Sequence, residues 1–468
     1  LLVAGAVTLA LLSGCGAAAL RGAVGAADFQ VHTAGDEAGA AARHHALEQA
    51  QDAACYAVEL AVANPNAYDF RRASFMGAMA AGDLANASLV VHFWQPERAD
   101  ADAYEIYLRT LSLIGRGPEA ESLAWRAATE DPDNRHRWMR AWYSALAADR
   151  ERFPLPMGEL HAGVQVDELR AFDGSSSIIM RYIVDDETIG IFKPHQNVRH
   201  QSFRGEVAAY RLCHLIRCTF VVPLSAETFV EEAEFRALAG VSSSDRLNFR
   251  TARRTPTFFE DDQDRQVLYG VFKSWVPDFS RFPLEYREVW LPLVQNGVTE
   301  DELSALSVRR ALSQFDGRRR GFFGEIVARS EGMTASNLAR QLSELHVFDL
   351  LINNFDRYQA EWYGMNVHWQ QGGFVSIDNG ASFSLPEEFS FTAARRRCQL
   401  IEVFPRSMID AIRWLEPEEA FALLFPPNPY FDDEEGRFAY FIERRQWLLD
   451  HVDNLVAQYG EDEVFLWD

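Results

Sequence analysis

The stretch V-F-D-L-L-I-N-N-F-D-R, Val347–Arg357, decides how the chain is read, and I-D-N-G, Ile377–Gly380, completes it. Leu342, Leu345, Phe348, Leu351 and Ile352 recur at helical spacing, so a helix is expected to end near Asn353. Asp356 then falls just past that helix, on a polar loop. Downstream, Gly372 and Gly373 precede a short apolar strand, Phe374–Ile377, which closes in an Asn-Gly turn behind Asp378. Strand pairing across residues 364–373 would bring the two carboxylates into one cleft. Phosphoryl transfer needs such a combination. One carboxylate orients an acceptor hydroxyl and takes its proton, while the other holds divalent cations against the phosphates.

Toward the N-terminus, Ser177–Val184 and Glu187–Phe192 read as two strands around an Asp185-Asp186 turn. The second runs into Lys193-Pro194. A lysine at a strand end, followed by a proline that breaks the ladder, points its ammonium into a fixed cleft. Upstream, Phe172–Ser177 is a small-residue turn whose N–H groups could approach phosphate oxygens, although Ser/Gly turns are common in any protein. Phe203–Ile216 reads as a helix with Val207, Tyr210 and Leu215 on one apolar stripe and Glu206 in its first turn. A strand lysine paired with a helix glutamate is how kinase folds hold the lysine against phosphates. The helix dipole explains an acidic residue in a first turn equally well. Residues 231–266 read as a charged loop or insertion. Strand character returns over Val267–Trp275, and Val276-Pro277 suits a hinge whose backbone reads an adenine edge.

Four pieces, I-F-K-P (Ile191–Pro194), G-E-V-A-A-Y (Gly205–Tyr210), Val347–Arg357 and Ile377–Gly380, occur in this order, with the hinge-like G-V-F-K-S-W-V-P-D at Gly270–Asp278. In them the chain resembles the secretory-pathway kinases typified by the Golgi casein kinase and its proteoglycan-xylose kinase relatives. The resemblance covers Leu160–Asp468. It implies an α+β, two-lobed atypical protein-kinase-like fold, with an N-lobe over 161–277 and a C-lobe over 278–468. It further implies that Lys193 contacts the α/β-phosphates of ATP and that Glu206 pairs with Lys193. Asp356 would be the catalytic aspartate, and Asp378 would bind Mn²⁺ or Mg²⁺. Glu361 matches an acidic residue of the family's D-R-H-x-x-E motif and is expected as a second metal ligand, with Arg357 as a brace of the loop. Tyr358 and Gln359 stand where the family has histidines, a departure that bears on substrate and ion preference. Cys398 lies where the family places disulfide cysteines, with Cys213 or Cys218 as candidate partners.

Leu1–Leu12 is an almost unbroken apolar run, shorter than the ~20 residues of a membrane span, and fits the h-region of a secretory signal. A buried apolar helix is the other reading, disfavoured by the small residues that crowd the segment. The run ends in Leu12-Ser13-Gly14-Cys15, which resembles the bacterial lipobox, whose cysteine is diacylated. Neither an initiator Met nor a basic n-region precedes it, so the sequence is expected to begin within the signal, residues 1–15. An Ala/Gly-rich linker follows over 16–42. Residues 43–160 lack strand alternation and read as an all-α helical-repeat domain. Gly82 with Ala87 recurs as Gly115 with Ala120 on a period of about 33 residues, and Asp131-Pro132 echoes Asn64-Pro65 at twice that interval, which resembles degenerate tetratricopeptide repeats. Trp94, Trp125, Trp138, Trp142 and Tyr143 are expected in its inter-helix core, a groove for a peptide partner being the other reading.

The formal net charge of −23 argues against a nucleic-acid partner and against adhesion to anionic headgroups. Cys15, Cys55, Cys213, Cys218 and Cys398 include no CxxC pair, which argues against a structural zinc site. The expected function is ATP-dependent phosphorylation of a hydroxyl acceptor, a protein Ser/Thr or a glycan, by a membrane-anchored lipoprotein outside the cytoplasm. Two other readings stay open: a lipid-anchored scaffold or pseudokinase that binds partners through its helical repeats, and adenylyl transfer on the same fold. Two acyl chains anchor stably because each buried CH₂ contributes ~0.8 kcal/mol. Cys15→Ala should therefore leave an unprocessed protein that partitions into the aqueous phase in detergent phase separation. Unchanged partitioning would rule out Cys15 as the anchor.

Overall fold

The structure, a computed structural model, describes residues 68–80, 82, 84–92, 94–149, 152–153, 166–171, 177–196, 202–240, 255–261, 263–312, 320–354, 357, 366–385, 390–428, 430–431 and 434–468. The signal segment, Cys15, Cys55, residues 172–176, Asp356 and Glu361 lie outside the described residues. Helices and antiparallel strands together make an α+β architecture. The chain divides into two compact units between Phe153 and Pro154. No helix among the described residues is long and apolar enough to cross a membrane.

The first unit consists of helices α1 (Tyr68–Ala80), α2 (Leu84–Val91), α3 (Ala101–Leu113), α4 (Gly117–Glu130) and α5 (Arg135–Ala148). Gly82 and Gly115, which share the sequence period, have φ of +70° and +82° at the turns leading into α2 and α4, a conformation that costs glycine nothing. Ala87 and Ala120, which recur with them, are wholly buried. Ala120, Ala124, Ala127 and Ala128 leave α4 a face without bulk, against which α3 and α5 pack. Asp131 ends α4 and accepts from the Asn134 N–H and, at 3.1 Å, from the Trp138 indole N–H, so the turn and the core are tied at one carboxylate. Trp94, Trp138, Trp142 and Tyr143 are buried in the helix core, and Trp125 packs half-buried on Trp142 at 5.5 Å.

In the second unit, strands β1 (Glu168–Ala171), β2 (Met180–Val184), β3 (Glu187–Pro194), β4 (Ser225–Glu231), β5 (Phe259–Glu260) and β6 (Gln266–Ser274) form one antiparallel sheet, ordered β1-β2-β3-β6-β4 with β5 also on β6. Asp185 and Asp186 both have positive φ, which gives the β2–β3 turn the twist that a two-residue hairpin needs. Pairing on β3 extends through Pro194, opposite Gly270. Alternation divides the sheet. Phe192, Val230 and Leu268 face a core capped by Phe235 of helix α7 (Glu232–Leu238), so the stretch read as a loop begins as a helix, its apolar Phe235 and Leu238 one turn apart. Lys193, Val271 and Lys273 face the other way, toward helix α6 (Phe203–Leu215). The aromatic rings of Phe192 and Phe272 lie across the sheet, and a side chain at Gly270 or Gly190 would meet them at 2.5 Å.

Helix α6 is buried almost all round rather than along one stripe. Its polar side chains reach the 417–434 region: Arg204 Nη1 donates to Glu434 at 2.7 Å and Arg211 Nη1 to the Leu423 carbonyl at 2.7 Å. Further on, helix α8 (Ala335–Ile352) starts on the Thr334 cap and ends on Asn353, in the left-handed region at φ 48°. Strands β7 (Ser280–Arg281), β8 (Val367–Gln370) and β9 (Gly373–Ser376) form a small sheet beside it, and the long helix α9 (Glu434–Tyr459) packs on α8.

One buried histidine makes stability pH-dependent. His346 on α8 stacks on Trp290 with ring centroids 4.8 Å apart, and its Nδ1 donates to the Leu342 carbonyl at 2.8 Å, while Nε2 has no hydrogen-bond partner. Burial pushes its pKa down to about 4. Between pH ~6.5 and ~4 the unfolded chain binds a proton there that the native chain does not, so stability falls as pH is lowered through that window. His346→Phe keeps the stack and removes the base. In urea unfolding it should lose less stability between pH 7 and pH 5 than the parent, by on the order of 2 kcal/mol. Parallel pH profiles would show that His346 is not the group responsible.

Candidate active site

Lys193 and Lys273 sit on neighbouring central strands and on the same face. Lys193 pairs in register with Val271, and Lys273 with Ile191. Both ammoniums are buried, each residue 3% exposed, and taking a charge out of water costs several kcal/mol unless it is paired. The partner is Glu206, in the first turn of α6 and 1% exposed. Its Oε1 accepts from Lys193 Nζ at 3.1 Å and its Oε2 from Lys273 Nζ at 2.5 Å and from the Asn379 N–H at 2.8 Å. This separates the two explanations of the residue. Its carboxylate engages two other strands and a distant turn, so the helix dipole does not account for its position. Burial pushes Glu206 toward protonation, but Lys273 and Lys193 override it and hold the carboxyl below its ordinary range.

Asp378 arrives from β9 by way of Ile377. It has φ 52°, unusual for a residue with a Cβ, and its Oδ1 lies 2.6 Å from Lys193 Nζ. Burial raises its carboxyl, yet the Lys193 ammonium, with Lys273 and Arg357, overrides this and holds it at about 2. Burial would strip the Lys193 proton, but the Asp378 and Glu206 charges reverse the effect and keep the ammonium well above the ordinary lysine range. The side chain of Asp378 is 34% exposed, which leaves it open to solvent where the other charged groups are closed. A Cβ at Gly380 would stand 2.7 Å from Lys193 Nζ and would displace that ammonium.

The turn is braced from beneath. Arg357, 1% exposed, donates to the Asn366 carbonyl at 2.8 Å, to Ser376 Oγ at 2.6 Å and to Asn379 Oδ1, and pairs with Asp349 of α8 at 2.7 Å. Asn354 Nδ2 donates to the Asp378 carbonyl at 3.2 Å. The residues on either side of Asp356 in the described chain, Asn354 and Arg357, thus both hold the Asp378 turn. Lys193, Glu206 and Asp378 are brought together, while Asp356 and Glu361 lie outside the described residues.

Lys193, Glu206 and Asp378 line a cleft of about 210 Å³ together with Ile179, Ile191, Pro223, Trp275, Val276, Phe279 and Ile377. Lys273 also lines it, a residue that motif reading left without a role. The signal was present: Lys273 occupies the same alternation phase as buried Val271 in an otherwise apolar strand. Asp349 was missed likewise, an acid set inside an apolar helix. Cys213, Cys218 and Cys398 are free thiols. The Cys213 and Cys218 side chains hydrogen-bond one another, while Cys398 is buried, and burial alone raises its thiol.

No protein-family model matches this chain, and no curated protein does. Among solved structures it is similar to a chain of the "Complete CtTel1 dimer with C2 symmetry", at 12% identity and a TM-score of 0.23. That alignment covers 91% of this chain and 20% of the other. A TM-score this low carries no argument about fold or function.

Removing one partner of a buried charge cluster leaves the rest uncompensated, at a cost of roughly 3–5 kcal/mol. Glu206→Gln keeps the volume, strands Lys273 and leaves Lys193 to Asp378 alone, so its urea midpoint should fall by the equivalent of about 3 kcal/mol. A change below about 0.5 kcal/mol would mean that solvent already reaches the cluster.

Proposed function

We propose that the Pro154–Asp468 unit is a two-lobed, kinase-like phosphotransferase that uses ATP and a divalent cation to phosphorylate a hydroxyl acceptor on a protein or glycan. One observation carries the reading: a helix glutamate and a post-strand aspartate, distant in sequence, converge within 3.1 Å of one strand-lysine ammonium in the lining of a largely apolar cleft. The apolar walls suit a flat base, and Trp275 and Val276, at the expected hinge, are among them.

Lys193, held by Glu206, would present its ammonium to the α/β-phosphates. Asp378 suits a hard divalent cation, since its carboxylate is partly open and Mg²⁺-type ions are bound through one or two carboxylates together with substrate phosphates. No cluster of three metal-ligating side chains stands among the described residues, so phosphate oxygens would complete the set, with Glu361 as the expected second ligand. A bound cation would supply neutralisation of phosphate charge. Asp356, next to the braced Arg357, would lie by the acceptor and take the hydroxyl proton. A lipid anchor on Cys15 would hold this activity at a membrane surface outside the cytoplasm, with the helical unit free to recruit a peptide partner.

The two aspartates have separable jobs. Asp378→Ala should lose the metal-dependent part of ATP affinity together with turnover. Asp356→Ala should keep metal–ATP affinity while transfer of ³²P from the γ-position falls by ~10²-fold or more. Calorimetry on both variants, with Mn²⁺ or Mg²⁺, checks this. Equal binding losses would sink the division of roles. Transfer of an α-label instead would mean adenylylation, and no transfer from either position would leave a scaffold.

A further inference from the structure

Lys273 raises a question that the lysine–glutamate pair does not answer. A second lysine in a central strand, 3% exposed, is expensive to bury, and one such residue already serves the cleft. Its ion-pair partner is Glu206 Oε2, the oxygen that also receives the Asn379 N–H, whereas Lys193 takes Oε1. Each oxygen of the carboxylate is therefore assigned to a different lysine. Among the described residues Lys193 has a second carboxylate in Asp378, at 2.6 Å, and Lys273 has Glu206 alone.

We propose that Lys273 is a positioning residue for phosphate binding, pinning Glu206 by Oε2 so that Oε1 directs Lys193 toward the phosphates. The inference rests on the reading of the cleft as a nucleotide site. When a metal–nucleotide enters, Asp378 must turn from Lys193 to the cation and Lys193 must share its protons with phosphate oxygens. Glu206 then keeps only part of Lys193. With Lys273 in place it stays compensated and does not follow. Without Lys273, Oε2 keeps only the Asn379 N–H and gains freedom to turn toward Lys193, which draws the ammonium back toward α6 and away from the ligand. Lys273 also lines the cleft, so the side chain has two separable effects: packing in the cleft wall and charge upon Glu206.

That separation gives the test. Lys273→Met keeps the packing and removes the charge, and Lys273→Arg keeps the charge. Calorimetry on the full chain compares ATP with Mn²⁺ against adenosine, which has no phosphate. Lys273→Met should bind Mn²⁺–ATP roughly 10-fold more weakly, the usual scale for loss of a group that orients a ligand-binding side chain, with adenosine affinity unchanged. Lys273→Arg should recover most of the loss. A merely structural lysine would move both ligands together, and that result, or unaltered Mn²⁺–ATP affinity, overturns the proposal. If Lys273→Met does not fold by circular dichroism, Lys273→Gln takes its place under the same two criteria. A parent protein that binds neither ligand overturns the nucleotide reading itself, and the role of Lys273 with it.

Discussion

A single buried carboxylate organises the second unit. Glu206 accepts hydrogen bonds from the paired strands β3 and β6 and from the turn after β9, which lies far from both in sequence. Because an unpaired charge at 1% exposure is so costly, each donor must be delivered at once, and α6, the large sheet and the Ile377–Gly380 turn take fixed places around it. The glycines nearby follow from this demand. Gly205 lies where a Cβ would approach the Ser382 carbonyl at 3.1 Å, and the Ser202 N–H donates to the Gly380 carbonyl at 2.7 Å, so the start of α6 and the turn are in backbone contact.

The far side of α6 explains why that placement is firm. A helix with one apolar stripe would be held by the sheet alone. This one is clamped on its outer face by Arg204, which bonds Glu434, approaches Glu227 at 3.5 Å and donates to the Pro426 carbonyl. Those charges are paired away from the cleft, and Glu227, raised mainly by its own burial, is the least comfortable of them. The lysine–glutamate contact is thereby built into the packing of the unit.

Much of this was legible in the sequence, and the remainder has physical reasons. Local rules placed α6 within a residue, the β2–β3 hairpin at Asp185-Asp186, and the ends of α8 and β9, because alternation and helical spacing are short-range signals. Motif order brought out Lys193, Glu206 and Asp378. Lys273 escaped because periodicity marks where a strand is buried and says nothing of which buried position carries a charge. Asp349 and Glu344 escaped for the same reason: their partners, Arg357 for one and the Thr219 N–H at 2.7 Å for the other, are tertiary. The burial of α6 beyond its apolar stripe was not legible, since its arginines are satisfied by carbonyls and acids more than two hundred residues away.

The pairing of Lys193 with Asp378 also bears on what the cleft will refuse. Lys193, Lys273, Glu206 and Asp378 sum to no net charge, so the pocket offers little to a lone anion. Sulfate or free phosphate arriving there must displace a carboxylate at 2.6 Å and then sit beside it, like charge against like. A phosphate that brings its own cation meets no such barrier, because the cation gives Asp378 a new partner in the same event. Under the proposed reading the site works by exchange of ion pairs. It sorts cation-complexed phosphates from bare ones by charge balance, before the shape of the ligand is consulted.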